Sequence, residues 1–395
     1  MTRYVEKLSS VEELLLLALR HERTLFQRKR IYSIYQERGD EAVFECAAQN
    51  KVIPMVAHGL MESVPDDHLA SRWSKSHNEA EQKLQGFFKE LDRLALLAEQ
   101  KGIRFAAIEN GGIARGVQHC RGCFASSDLE LLLEKVDMSQ FELLLFEEGF
   151  TRGSRERCAS ENSNQWDRDI IGWDNYFKTL ADGNIFWLNI QWRPVLRRWI
   201  PMEQGLTTRD LIDRSVLING SESRVRILAP EDNLLVCALH VASHSYVRGI
   251  GLRLQLDVDH LVRNVNIDWP KFLNLVRRHR AKELVFLSLA IPASMLDTPI
   301  PEDVLIALIP SERRRGYLFK LISYAGVFNR HTHKFTFLQF VRLEIALSRG
   351  MMDGLRRVFI PSADWIREGY ILQNNRSLIY CYLHRIFSLA KRRHA

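Results

Sequence analysis

At 395 residues the chain is long enough for two or three compact units, since domains commonly run to roughly 100–200 residues. Hydrophobic residues make up 46% and charged residues 26%, an ordinary globular composition that excludes disorder as the main state. The formal charge of +7 is a small excess for this length; it leans toward an acidic ligand such as a nucleoside triphosphate and does not by itself demand nucleic acid.

From Val11 to about Leu97 apolar residues recur at three- and four-residue spacing, as in Val11, Leu14, Leu15 and Ala18, and again in Phe87, Phe88, Leu91 and Leu94. That is the period of amphipathic helices, so residues 1–98 are expected to form a helical region. Ser10 is expected to cap its first helix, with Glu13 reaching back. The apolar runs here, such as Leu14–Leu19, fall far short of the roughly 20 residues of a membrane span, and no basic-then-apolar leader is seen, so the expected compartment is the cytoplasm.

The pattern changes at Gly102. Ile103–Ile108 reads as a buried strand running into the turn Asn110-Gly111-Gly112. Cys120 and Cys123 form a lone CxxC, read as a loop with two small residues because no second pair completes a zinc pattern; six scattered cysteines fit reduced thiols. Ser127-Asp128-Leu129-Glu130 then leads into Leu131-Leu132-Leu133, a strand, followed by a helix from about Met138 to Glu148. A third strand is expected at Ile185–Trp192, closed by Pro194. Residues 99–202 thus form a small α/β core. Helical periodicity returns over 203–395, with basic clusters such as Arg277-Arg278 and Arg313-Arg314-Arg315 read as solvated helix faces, which makes nucleic acid a disfavoured partner. The expected fold class is α+β, predominantly helical, with a small mixed sheet between helical regions.

On a strand Asp128 and Glu130 project to the same face, because side-chain direction has period two. Two acids so placed are costly without a cation, and Mg²⁺ (or Mn²⁺), which prefers oxygen ligands and keeps positions open for phosphate oxygens, suits them. Gly111 and Gly112, at the start of a helix after the first strand, leave backbone N–H groups open to a phosphate. His240 and His244 share a helix face, but no Glu follows His240 as a zinc protease would require; one histidine facing a cleft is expected. Asp257 is a candidate to face the same cleft, and Asp259 is expected in solvent.

The order of these motifs resembles the uncharacterised nucleotidyltransferase family, related to the polymerase-beta-like superfamily. The family pattern has a Lys-Gly turn, a Ser-Asp-x-Asp-Leu-Leu strand, an Asp-x-His-Trp strand and a helical His-x3-His. Here Asn110-Gly111 stands for the first and Ser127-Asp128-Leu129-Glu130-Leu131-Leu132 for the second. Leu188-Asn189-Ile190-Gln191-Trp192 stands for the third, and His240 with His244 for the fourth. The likeness extends through Leu228–Asp232, Leu256-Asp257, Ile267-Asp268-Trp269 and Phe359–Trp365.

The resemblance implies a nucleotidyltransferase-like sheet in which Asp128 and Glu130, with Asn189 at the third ligand position, hold a divalent metal bridging a nucleoside triphosphate. It further implies that Gly111, Gly112 and Ser127 hold phosphates and that His240, His244 and Asp257 contact nucleotide or substrate. An acceptor hydroxyl on a small molecule, saccharide or peptide would attack the α-phosphorus and release pyrophosphate. Two departures bear on activity: Asn189 replaces an acid that would activate the acceptor, and Asn110 replaces a lysine that would meet phosphate. The alternative is therefore a catalytically silent relative that binds nucleotide or a partner protein.

Overall fold

The computed structural model describes residues 4–117, 120–124, 128–153, 172–193, 206–218, 223–244, 251–328, 334–348, 350–360, 363, 366 and 377–390. Five helices open the chain: α1 (Ser10–Leu19), α2 (Leu25–Arg38), α3 (Asp40–Gln49), α4 (Ile53–Met61) and α5 (Ser71–Gln100). The first cap lies one residue earlier than the sequence suggests. Ser9, in extended conformation, accepts from the Glu12 amide while the Glu12 carboxylate takes the Ser9 N–H at 2.7 Å. Glu13 is thereby released to pair with Arg30 at 2.7 Å.

Helix α5 is the spine of the molecule, 30 residues and thus about 45 Å long. Trp73, Leu84, Phe87, Leu91, Leu94 and Ala98 recur on one buried face. Each large apolar side chain so buried contributes about 1.5–3 kcal/mol.

The sheet follows, in chain order β1 (Phe105–Ile108), helix α6 (Glu109–Gly116), β2 (Asp128–Leu133), helix α7 (Met138–Glu147), β3 (Thr151–Arg152), β4 (Trp173–Thr179) and β5 (Ile185–Gln191). After helix α8 (Thr208–Arg214) come β6 (Val216–Leu217) and β7 (Arg226–Ile227). The strand order is β3-β4-β5-β2-β1-β7-β6, with β2 parallel to β5, β1 parallel to β7 and the other pairs antiparallel. The sequence supplies β1, β2 and β5 directly. Strand β4 was not expected, and β6 and β7 interrupt a stretch read as helical.

The two sheet faces differ. On one, Leu129, Leu131, Tyr176, Phe186 and Leu188 are buried against α5 and α7, with the Phe87 and Phe186 rings 4.7 Å apart and the Tyr176 hydroxyl donating to Glu142 at 2.7 Å. The other face carries Asp128, Glu130, Asn175, Phe177, Trp187 and Asn189. At its far end Ala106, Ile108 and Leu132 meet Leu211, Ile212, Leu228 and Val236 in a second, smaller core that closes the open face on one side.

The rest of the described chain is helical: α9 (Pro230–His244), α10 (Gly251–Asn264), α11 (Trp269–Arg278), α12 (Lys282–Met295), α13 (Glu302–Leu308), α14 (Glu312–Ala325), α15 (Phe337–Leu347), α16 (Met351–Phe359) and α17 (Leu378–Ala390). The predominantly helical α+β class is as expected from sequence. Ion pairs fix α9 to its neighbours: Arg214 grips the buried Asp232 at 2.7 and 3.0 Å, and Lys271 reaches Glu231 at 2.7 Å. Asp259 is not solvated. It is 2% exposed, holds Arg263 at 2.9 Å and accepts from Thr298 at 2.6 Å, because α10 is covered on that side by the turn after α12. Among the described residues no helix is long and apolar enough to cross a membrane.

Candidate active site

The site is assembled where three strands present polar residues on the half-open face. In the parallel register of β2 and β5, Glu130 lies opposite Asn189 and Asp128 opposite Trp187. Strand β4 extends the row by placing Asn175 opposite Asn189 and Phe177 opposite Trp187. Paired positions on neighbouring strands share a face, so Glu130, Asn189 and Asn175 form one transverse row. The Asn189 amide donates to Asn175 Oδ1 at 2.9 Å, and the Phe177 and Trp187 rings pack at a tilt with centroids 4.9 Å apart.

Helix α6 begins immediately after β1 and leans against β2. Glu109, its first residue, has φ +47°, a left-handed backbone that turns the chain abruptly from strand to helix. A Cβ on Gly111 would stand 2.7 Å from the Glu130 carbonyl oxygen, and one on Gly112 would stand 2.8 Å from the Ala107 carbonyl oxygen. These glycines are therefore needed for the close approach of helix to sheet. That approach brings the Gly111 N–H toward the Glu130 carboxylate, where it favours the ionised form. Arg115 fastens the other end of α6 to α5 through a bidentate pair with Asp92 at 3.1 and 2.9 Å.

Glu130 is 7% exposed. Its Oε1 accepts from Asn110 at 3.1 Å, whereas its Oε2 is buried with no hydrogen-bond partner among the described residues. Burial, together with the charges of Glu109, Asp128 and Asp257, pushes the Glu130 carboxyl well above the usual range.

Two cations come from the helical region. Helix α9 places His240 Nδ1 2.9 Å from Glu109. Burial alone would lower the His240 pKa, but Glu109 and Asp257 outweigh it and the imidazole is raised. On α10, Arg253 and Asp257 pair one helical turn apart, Arg253 being 5% and Asp257 4% exposed. The second Arg253 nitrogen donates to Asn110 Oδ1 at 3.1 Å, and the guanidinium lies over the Phe124 ring at 4.7 Å. Burial raises the Asp257 carboxyl, opposed by Arg253 and then His240.

The fold thus brings Asp128, Glu130, Gly111, Gly112, Asn189, His240 and Asp257 into one neighbourhood. Ser127 and the side chain of His244 lie outside the described residues. Sequence reasoning missed Arg253 and Asn175. Arg253 sits four residues before Asp257, a helical ion-pair spacing that could have flagged it; Asn175 gave no signal, since its importance depends on strand pairing.

Strand, glycine turn, helix, then a strand with two acids on its open face is the arrangement of a nucleotidyltransferase-type protein. Residues 36–297 match the uncharacterised nucleotidyltransferase family, and the chain belongs to it. That membership carries general nucleotidyl transfer and a nucleoside triphosphate substrate. No match was found among curated proteins.

Proposed function

We propose that this chain is a divalent-metal-dependent nucleotidyltransferase that moves a nucleoside monophosphate from a triphosphate to a hydroxyl on a small-molecule, saccharide or peptide acceptor. The observation that carries the metal requirement is Glu130 Oε2, buried beside Asp128 with no hydrogen-bond partner among the described residues. The charges agree. Among the described residues, Glu109, Asp128 and Asp257 all crowd Glu130 with negative charge. A divalent cation relieves such crowding.

Asp128 and Glu130 would hold the ion, with the Asn189 amide as a neutral neighbour. Mg²⁺ or Mn²⁺ bound there supplies charge neutralisation for the triphosphate and the departing pyrophosphate. The protein's own part is positioning. His240, whose raised pKa keeps it an imidazolium over a wider pH range, and Arg253 present positive charge to phosphate oxygens. Arg253 does so from beside Asn110, where the family pattern has a lysine, so the cation that the sequence seemed to lack is supplied from α10. Gly111 and Gly112 keep α6 against the acids.

A second reading, a silent relative that binds nucleotide, is favoured by Asn189 alone, since an amide cannot accept the acceptor's proton. Incubation with α-labelled triphosphates, Mg²⁺ and size-fractionated acceptor pools tests the first reading: label appears in an acceptor fraction, and Asp128→Ala abolishes it. No transfer by the unaltered chain, with transfer appearing at least tenfold above background in Asn189→Asp, would establish the second.

A further inference from the structure

The Cys120–Cys123 pair, a lone CxxC in the sequence, acquires two partners in the fold. Helix α4 brings His58, and α5 brings His77, to the one-turn 3₁₀ segment Arg121–Cys123, and one ligand atom from each of the four residues lies within 4.8 Å of the others. His77 Nε2 is 3.3 Å from Cys120 Sγ and 3.8 Å from Cys123 Sγ, and His58 Nδ1 is 3.9 Å from Cys120 Sγ. In a tetrahedral site with Zn–S of about 2.3 Å and Zn–N of about 2.0–2.1 Å, each nitrogen–sulfur edge spans about 3.5–3.6 Å. The observed separations straddle that edge.

Three features around the cluster are those of a ligand set and exceed what chance proximity requires. The other nitrogen of His58, Nε2, meets the Glu62 carboxylate at 3.1 Å, which fixes its proton there and presents the Nδ1 lone pair to the thiols. Glu62 is in turn held by Arg23 at 2.8 Å. A Cβ on Gly122 would lie 2.3–2.6 Å from three atoms of the His77 ring, so the turn between the cysteines is pressed directly against the histidine. The cluster is closed on one side, where Cys123 is 7% and His77 9% exposed, while Cys120 is half-buried and the His58 side chain is 38% exposed.

We propose that His58, His77, Cys120 and Cys123 form a structural Zn²⁺ site that ties α4 and α5 to the segment preceding β2. Two thiolates and two imidazoles in a closed tetrahedral set select zinc over the oxygen-preferring Mg²⁺. The site is built from side chains other than the carboxylates of β2. Its connection to them is through Phe124, the residue after Cys123, whose ring supports Arg253 at 4.7 Å. Zinc therefore sets the platform on which the phosphate-facing cation rests.

The test is elemental analysis of the full chain, purified without chelators. One zinc per chain is expected, retained in Asp128→Ala and in Cys46→Ser and lost in Cys120→Ser/Cys123→Ser. Retention in Asp128→Ala keeps this result independent of the proposed transferase site. Should the double variant fail to fold, Co²⁺ exchanged into the unaltered protein decides: a thiolate-to-cobalt charge-transfer band with tetrahedral ligand-field absorption supports the site. Gly122→Ala is expected to lower zinc occupancy, because its methyl displaces His77. Protein that carries no zinc and gives no such cobalt spectrum, whether its thiols are free or joined as a Cys120–Cys123 disulfide, overturns the proposal.

Discussion

Asp257→Asn tests how the site holds its arginine. Arg253 and Asp257 are 5% and 4% exposed, and removing one partner of a buried pair typically costs about 3–5 kcal/mol because the other charge stays buried without compensation. The low end, about 3 kcal/mol, is expected here, since the Asn110 hydrogen bond at 3.1 Å survives the change. The measurement is urea unfolding in metal-free buffer, followed by tryptophan fluorescence. The double replacement Arg253→Met/Asp257→Leu buries no charge and is expected to be more stable than either single change. It should nevertheless weaken triphosphate binding by about tenfold to a hundredfold, the worth of a charged hydrogen bond. A cost of Asp257→Asn below about 0.5 kcal/mol, or simple additivity of the two changes, would refute the reasoning.

Three further outcomes are expected. Gly111→Ala places a methyl 2.7 Å from the Glu130 carbonyl oxygen and should destabilise the fold by about 1–3 kcal/mol in the same assay, with weaker nucleotide binding as α6 is pushed off β2. His240 has a raised pKa, so its ion pair with Glu109 contributes stability that is complete below the unfolded imidazole value of about 6.5 and is lost as pH rises through the higher folded value. Melting temperature should fall over that interval in the unaltered chain and fall less in His240→Gln. For Glu130 the folded pKa is also raised, so its carboxyl favours the fold at low pH and opposes it as pH climbs through the folded value. Accordingly Mg²⁺ should raise the neutral-pH melting temperature of the unaltered chain, whereas Glu130→Gln should melt higher without Mg²⁺ and respond little to it.

What could be read from the sequence was whatever a local period encodes. The apolar run Phe105–Ile108 with its glycine turn gave β1 and the start of α6, and the alternation at Asp128–Glu130 put both acids on one face. Strand β4 escaped because, in Trp173–Thr179, Tyr176 alone is buried and charged residues mix with aromatic ones, so no apolar alternation marks it. Juxtapositions of distant segments were beyond reach of any pattern. The Glu130–Asn189 pairing became readable only through the family resemblance, and Asn175 not even then. Asp259 was assigned to solvent because the covering Thr298 lies 39 residues away. The same limit hid the partners of Cys120 and Cys123: His58 and His77 sit on helices whose register against the cysteine turn no spacing rule supplies. Arg253 is within reach of the sequence, since its i,i+4 pairing with Asp257 is local.

The proposed function requires that Asp128 and Glu130 make triphosphate binding depend on a divalent cation. Calorimetric titration of the full chain with nucleoside triphosphates, with and without Mg²⁺, tests it most directly. Saturable binding that requires Mg²⁺ and disappears in Asp128→Ala is the predicted result. Binding of equal strength without Mg²⁺, or unchanged in Asp128→Ala, would contradict it.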